Sequence, residues 1–451
     1  MSTSQNWSSS LKFILVAAGS AVGLGNIWKF PQLVAENGGS AFILIYIACI
    51  LILGIPLLIL EFSIGKTSKS NSLDTILHFN KHYFFKHSYL LYIIGSFLLM
   101  SFYFIVSGWT LSYFVESITG GISYNPNLEN AYYQNVLGSL FSNPKKLILY
   151  TLAIILITYY INSKDIQKGI ERLNFVLFPV LFLILIILII KVLTLNNISE
   201  GLKFYFYPDF SKVTINTFIN ALGQTFFSLS LGTGTMIVYS SYLKKEINKE
   251  TNIIKASIYT SIIGSLVGIF SGLIIIPSLF SFNLPLSGGT GVTFISLPLI
   301  FSQIYLGKYL AIIFFFMMLI ATITSTISIL ETILPYFMKK FNLTRQKSAL
   351  LISFIVLILS IPNSLSFNIL SNLTLFKLNI FEQVVYLENN IFLTLGSLLS
   401  IIYGIYFIKN TLKAELSNYL SPFLINLWIF LIKFIIPLII IVIVIKEIIN
   451  S

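Results

Sequence analysis

Long apolar runs fill the chain, and short stretches between them collect the polar and charged residues. Eleven runs can be drawn, at about 11–35, 41–65, 88–118, 147–162, 170–195, 214–243, 254–280, 307–338, 347–362, 380–409 and 421–447. A helix needs roughly 20 residues to cross the hydrocarbon of a bilayer, and most of these runs reach that length. None shows the alternation of a barrel strand, and lipid leaves an open sheet edge without partners. The pattern predicts an all-α polytopic membrane protein with about eleven transmembrane helices, a single transmembrane domain over residues 1–451. The first run begins near Leu11 and has no cleavable signal pattern, so it reads as a retained span.

Charge adds an orientation. Lys66, Lys164, Lys168, Arg172, Lys339, Lys340 and Arg345 fall in connections on the side of the N-terminus. The positive-inside rule then places the N-terminus in the cytoplasm, in the cytoplasmic (inner) membrane, and eleven spans place the C-terminus outside. The formal net charge of +12 is spread over these connections and forms no nucleic-acid patch. Membrane lipid and a small molecule are the expected partners, with no nucleic acid; nothing in the pattern speaks of oligomeric state.

Composition removes the remaining classes. Residues of the AVILMFWYC set make up 56% and charged residues 10%, against about 25% charged in soluble domains. Mean hydropathy is +0.89. One cysteine, Cys49, excludes a disulfide framework and reads as a small buried hydrophobe. His78, His82 and His87 share one connection without a cysteine or carboxylate cluster, which reads as a solvated loop. No nucleophile–base pairing and no phosphate-cradling loop is visible, so an enzyme is not expected.

Two spans carry helix-weakening clusters. The first reads Gly19-Ser-Ala-Val-Gly-Leu-Gly-Asn26, the sixth Ser228-Leu-Ser-Leu-Gly-Thr-Gly-Thr235. Small residues can serve only to let helices approach. But the first and sixth spans are corresponding members of two five-helix halves, at about 11–195 and 214–409, with 421–447 as an extra helix. Interruptions at matching positions point to an inverted-repeat transporter with a midplane site. Unwinding frees carbonyl and N–H groups away from water, and those groups need partners.

At these residues the chain resembles the neurotransmitter:sodium symporter family, in its bacterial eleven-helix amino-acid transporter branch with the leucine-transporter-like fold. Trp7 opens the first span, followed by Ala17-Ala-Gly-Ser-Ala-Val-Gly-Leu-Gly-Asn-Ile-Trp-Lys-Phe-Pro31 and Glu36-Asn-Gly-Gly-Ser-Ala-Phe42. Glu61 stands in the second span, Lys168-Gly-Ile-Glu-Arg172 begins the fifth, and Phe226-Phe-Ser-Leu-Ser-Leu-Gly232 marks the sixth. Phe294-Ile-Ser-Leu-Pro298 and Ala321-Thr-Ile-Thr-Ser-Thr326 follow in order. The resemblance implies a five-plus-five inverted repeat with discontinuous first and sixth helices.

It also implies sites. One sodium site takes the carbonyls of Gly19, Val22 and Ala321 with the hydroxyls of Thr324 and Ser325; oxygen ligands suit a hard cation. The competing reading of both hydroxyls is a bond back to their own helix. A second sodium site takes Ala21, Asn26 and Ser228, but the seventh-span asparagine of the family is Gly264 here. One strong sodium site and one weakened or absent site are expected. Of the chloride-associated positions, Tyr46, Gln224 and Ser228 are present and Gly268 replaces the fourth, so chloride is left open. The substrate carboxylate is expected at the N–H groups of Leu24 and Gly25 and the Tyr103 hydroxyl. The amine is expected at Ala21, Phe227, Ser228 and Ser230, and the side chain among Leu99, Val106, Phe227, Thr233, Thr326 and Ile329. Gly23, where monoamine carriers have an aspartate, favours an amino acid. Thr233, smaller than the aromatic of leucine-selective relatives, leaves room for a large apolar or aromatic side chain.

Gating residues complete the picture. Tyr103 and Phe227 form a lid, and Lys29, where many relatives have arginine, pairs with Glu382, because the usual acid position is Val385. The inner pair is replaced by Ser4 and Lys339. Glu61 is expected to tether the unwound part of the sixth span, and Glu331 reads as structural. The function implied is a sodium-coupled symporter importing an amino acid. The alternative is an uncoupled or non-transporting relative that senses an amino acid or leaks ions.

Overall fold

The computed structural model describes residues 6–68, 87–243, 251–286 and 289–442. Ser4, His78 and His82 lie outside them. Among the described residues nine helices are long and apolar enough to cross a membrane, ten when Ser10–Ala21 and Gly25–Glu36 are joined as one span bent by 55°. The nine are Ser40–Thr67, Tyr89–Thr119, Pro144–Asn162, Gln167–Val192, Ile253–Ser281, Gly307–Lys340, Arg345–Leu365, Ile380–Tyr406 and Pro422–Val442. The sixth run is also helical, but in two pieces, Ile215–Ser228 and Thr235–Ser241, each too short to cross alone. Over the described residues all eleven apolar runs are therefore helical, as expected of an all-α polytopic membrane protein.

The connections hold more structure than the hydrophobic pattern announced. Short helices run over Asn130–Ser142, Ser199–Phe206, Val292–Gln303 and Lys409–Leu416. They are amphipathic or brief, so a reading tuned to membrane-length apolar runs passes over them.

The two interrupted spans lie at the centre. The eighth span, Gly307–Lys340, packs along the third, Tyr89–Thr119, and the short half Thr235–Ser241 lies against the second span. Ser10–Ala21 packs against the seventh span, Ile253–Ser281, and the fifth, Gln167–Val192. Outward faces stay apolar: Leu51, Leu156, Leu183, Phe354 and Phe434 are all exposed large hydrophobics, which suits surroundings of lipid. Several spans widen for one turn into i→i+5 bonding, among them Gly25–Lys29 and Leu387–Phe392. Such turns displace side chains from regular helical spacing and recur at functional sites.

Candidate functional site

The first span breaks after Ala21. Val22 takes extended dihedrals, φ −92 and ψ 102, while its N–H still closes the helix on the Ala18 carbonyl at 2.8 Å. The helix resumes at Gly25. The sixth span breaks after Ser228, with Ser230, Gly232 and Gly234 all at positive φ. Two of these three are glycine, which adopts that region without the Cβ penalty. Ser230 does not have that freedom, and its hydroxyl donates to the Ser20 carbonyl of the other break at 3.0 Å. Glu61 accepts from the Gly232 N–H at 2.9 Å and from the Ser400 hydroxyl at 3.2 Å. That carboxylate ties the second, sixth and tenth spans together at the break. The Gln224 amide donates to the Gly25 carbonyl at 2.8 Å, a further link between the two breaks.

At the first oxygen cluster the Ser325 hydroxyl reaches across to the Val22 carbonyl at 3.3 Å. Thr324 instead donates to its own helix, to the Ile320 and Ala321 carbonyls, each at 3.1 Å. A hydroxyl that donates its proton keeps lone pairs for a cation, so both uses are compatible. Gly19 faces Thr324 and also Asn174 of the fifth span: a Cβ at Gly19 would stand 2.0 Å from Asn174 Oδ1. Asn174 is buried, and that oxygen has no hydrogen-bond partner.

At the second cluster Asn26 Nδ2 donates to the Ala21 carbonyl at 3.1 Å and to the Gly264 carbonyl at 2.7 Å. Two carbonyls converging on one point require a donor or a cation between them. Here the amide nitrogen takes that place, and Asn26 Oδ1 is left without a partner. Ser228 shares a hydrogen bond of 2.9 Å with the Tyr46 hydroxyl. Gly264 faces Ala21 Cβ and the Ser228 carbonyl, so at this position the seventh span offers the cluster a backbone oxygen in place of a side chain. The Phe30 ring lies against Gly268 and fills the space beside it.

Between the breaks lies a cavity bordered by Ala21, Gly25, Tyr103, Phe227, Ser230 and Ile329, with Leu99, Thr233, Ser325 and Glu388 also among its walls. A second, outer cavity is lined by Leu24, Lys29, Phe102, Val106, Phe381 and Asn389. Tyr103 and Phe227 border both. They are a partition of two rings. Leu24 turns its side chain outward, while its N–H donates to the Tyr103 hydroxyl at 3.0 Å. The Phe227 ring rests on Gly25, where a Cβ would stand 2.2 Å away. At Gly23 a Cβ would meet the Tyr103 hydroxyl at 2.6 Å and Ser325 Oγ at 2.7 Å, so an aspartate cannot be accommodated without moving both. The Lys29 ammonium sits 5.1 Å from the Phe227 centroid, on the outer side.

Two of the expected site residues do something else. Thr326 shares a hydrogen bond of 2.9 Å with Thr158 of the fourth span and donates to Ile323, so it faces away from the cavity. Ser325 and Thr326 are consecutive on a helix, and only one of them can face the break. Glu382 closes a capping box at the start of the tenth span, accepting from the Asn379 N–H at 2.9 Å. Its carboxylate is engaged there, and the field of Lys29 falls on Glu388.

The opposite end of the bundle is closed by a polar network that sequence reasoning did not assemble. The Trp7 indole N–H donates to the Tyr239 carbonyl at 2.6 Å, and its ring packs on Tyr239 and Tyr242. Glu171 accepts from the Ser8 N–H, the Ser8 hydroxyl and the Lys12 ammonium, all within 2.8 Å. Glu331 accepts from Arg345 through both guanidinium nitrogens, from Tyr242 at 2.7 Å and from Asn162 at 3.1 Å. Asn174 and Glu388 were likewise missed. Each is a single polar letter inside an apolar run, and only the fold shows what it faces.

The family profile described as "Sodium:neurotransmitter symporter family" matches residues 4–139 and 127–451. An uncharacterised sodium-dependent transporter of Haemophilus influenzae is 37% identical over 432 residues, covering 94% of each chain. Another, YhdH of Bacillus subtilis, is 34% identical, covering 91% of this chain and 90% of its own. Among solved structures, MhsT in complex with L-phenylalanine superposes with a TM-score of 0.89 at 35% identity, over 98% of this chain and 99% of that one.

Proposed function

The chain belongs to the sodium:neurotransmitter symporter family and is thereby a multi-pass, sodium-coupled secondary transporter rather than an enzyme, and from this membership we propose that it imports an amino acid together with sodium by alternating access. The carrying observation is the pairing of the two breaks. Gly25 and Ser230 line the cavity between the breaks, and Val22 and Leu24 stand beside it, their carbonyl and N–H bonded to Ser325 and Tyr103 of the same wall. N–H groups at the start of a half-helix favour an anion, and freed carbonyls favour cations. A zwitterionic amino acid and a sodium ion supply all of these charges. Leu24 N–H and the Tyr103 hydroxyl would trade their mutual bond for the substrate carboxylate. Ala21, Phe227, Ser228 and Ser230 would hold the amine. The MhsT structure with L-phenylalanine supports an amino acid as the ligand class. The small Thr233 and the apolar Leu99 and Ile329 support a large side chain, apolar or aromatic along its length.

We assign the sodium ion to Gly19, Val22, Ala321, Thr324 and Ser325. The Ala21–Asn26–Ser228 cluster has its carbonyls satisfied by an amide nitrogen, and its seventh-span position is Gly264. The N-terminal end is the cytoplasmic one in this reading, in the inner membrane. The repeat halves are about 11–195 and 214–409.

Proteoliposomes test the proposal directly. An inward sodium gradient should drive accumulation of one amino-acid class, and potassium in place of sodium should abolish it. The sodium dependence should fit a Hill coefficient near one; a value near two restores the second site. Equal entry in both salts overturns coupling.

A further inference from the structure

Asn174 of the fifth span is fully buried, and the two ends of its amide are treated differently. Nδ2 donates to the Ile170 carbonyl of its own helix at 2.9 Å. That bond fixes which end of the amide is turned away from the helix. Oδ1 has no hydrogen-bond partner. A carbonyl oxygen at that depth is costly to leave so and calls for a partner.

What Oδ1 faces decides the kind of partner. A Cβ at Gly19 would stand 2.0 Å from it and 3.9 Å from Thr324 Cβ. Gly19 and Thr324 both belong to the oxygen set assigned to sodium above. Gly19 has no side chain with which to donate. The first span makes its last helical bond from the Val22 N–H to the Ala18 carbonyl, so the Gly19 carbonyl is the next one along. The Thr324 hydroxyl is turned to the Ile320 and Ala321 carbonyls. The fifth, first and eighth spans thus bring acceptor oxygens together without a donor among them. Such a gathering away from water suits a hard cation.

We infer that Asn174 Oδ1 is a further ligand of the sodium ion, supplied by the fifth span. This rests on the sodium assignment made above and extends it. The five oxygens assigned there come from the first and eighth spans alone. With Asn174 the ion holds three spans. Glu171, three residues earlier, already holds Ser8 and Lys12 of the first span by hydrogen bonds. The fifth span therefore grips the first at two heights, near Trp7 by fixed bonds and at the break through the ion. Only the second grip depends on sodium.

The experiment reads ion binding without transport. The thermal midpoint of the purified full-length protein is followed against sodium, with choline in its place and no amino acid present. An ion that binds the folded state raises the midpoint in a saturable way. N174L keeps the bulk and removes the oxygen. Its half-saturating sodium concentration should rise roughly tenfold or more, the scale of one oxygen lost to a charged partner. N174D puts a carboxylate in the same place. Its midpoint without sodium should fall, and its half-saturating concentration should drop below that of wild type. The two variants then move in opposite directions. A side chain that only packs the fifth span would lower both midpoints and leave the sodium dependence unchanged, or weaken it in both; either result overturns the inference. If N174L does not survive purification, N174D decides alone: tighter sodium supports the inference, and equal or weaker sodium overturns it. Ser325→Ala separates this failure from that of the assignment beneath it. That variant should lose the sodium response. If it titrates like wild type, or wild type shows no response, the assigned site itself fails and the inference with it.

Discussion

The two ends of the bundle are closed by different chemistry. At the Trp7 end the first span is held by directional bonds: indole to carbonyl, Glu171 to Ser8 and Lys12, with Glu331–Arg345–Tyr242 behind them. At the Lys29 end the closure is made of rings. Tyr103 and Phe227 divide the cavities, and above them Trp109 packs against Phe141, Phe294, Phe367 and Phe381. A hydrogen bond to a charged group contributes about 1.5–3 kcal/mol, whereas an aromatic pair adds about 0.5–1.5 kcal/mol beyond its buried area. Ring faces can also slide and turn with partial contact. A bidentate ion pair is either made or broken. Under the alternating access proposed above, the ringed end would be the readily opened one, and the bonded end would set the threshold for the other state. The loss of the family's pair at Lys339 does not leave that end unlatched, because the latch is built from other residues.

The largest effect should come from removing the buried cation of the bonded end. Arg345→Ala leaves Glu331 in the interior with only neutral partners, Tyr242 and Asn162. Breaking a buried pair from one side costs about 3–5 kcal/mol. The thermal midpoint in detergent should fall by many degrees, and Arg345→Lys should recover only part of it, since lysine cannot form the fork. A variant that melts like wild type would mean that this pair does not anchor the end.

Trp7→Ala comes next and tests the comparison where it matters for transport. It removes the bond to Tyr239 and the ring contacts with Tyr239 and Tyr242. Truncating a buried tryptophan costs about 3–5 kcal/mol, part of which should appear as a population shift, because moving a two-state equilibrium from 1:99 to 99:1 takes about 5.5 kcal/mol. Hydrogen exchange should accelerate in Ser10–Ala21 while the outer half, Gly25–Glu36, keeps its protection. Equal acceleration in both halves would show that the halves are not independently latched.

How far these features could be read beforehand follows from the same physics. Burial in lipid demands unbroken apolar runs, so the spans were visible to within a few residues, and glycine clusters marked both breaks. What could not be read was direction around a helix. Ser325 and Thr326 are adjacent hydroxyls, and only packing on Thr158 decides which one faces the break. Glu388 lies in a turn widened to i→i+5 bonding, where helical spacing is no longer regular. Glu382 was a different kind of miss. Asn379 followed three residues later by a glutamate is a capping-box pattern, and read as such it shows the carboxylate already committed. The Trp7-end network was hidden because its members come from the first, fourth, fifth, sixth, eighth and ninth spans and meet only after folding.

The smallest effect is expected at the ringed end, and its size is the sharper test. Lys29→Gln removes a cation lying 5.1 Å from the Phe227 centroid, at the border of the outer cavity. A cation over a ring in a partly solvated place contributes about 0.5–1 kcal/mol, so substrate half-saturation should rise only about two- to five-fold, with thermal stability unchanged. That modest change follows from a lid closed by ring packing, in which Phe227 keeps its seat on Gly25 whatever lies above it. A loss as large as that of Trp7→Ala would mean that Lys29 carries an ion pair of the inner end's strength. The two closures would then be equivalent, and the asymmetry between them would disappear.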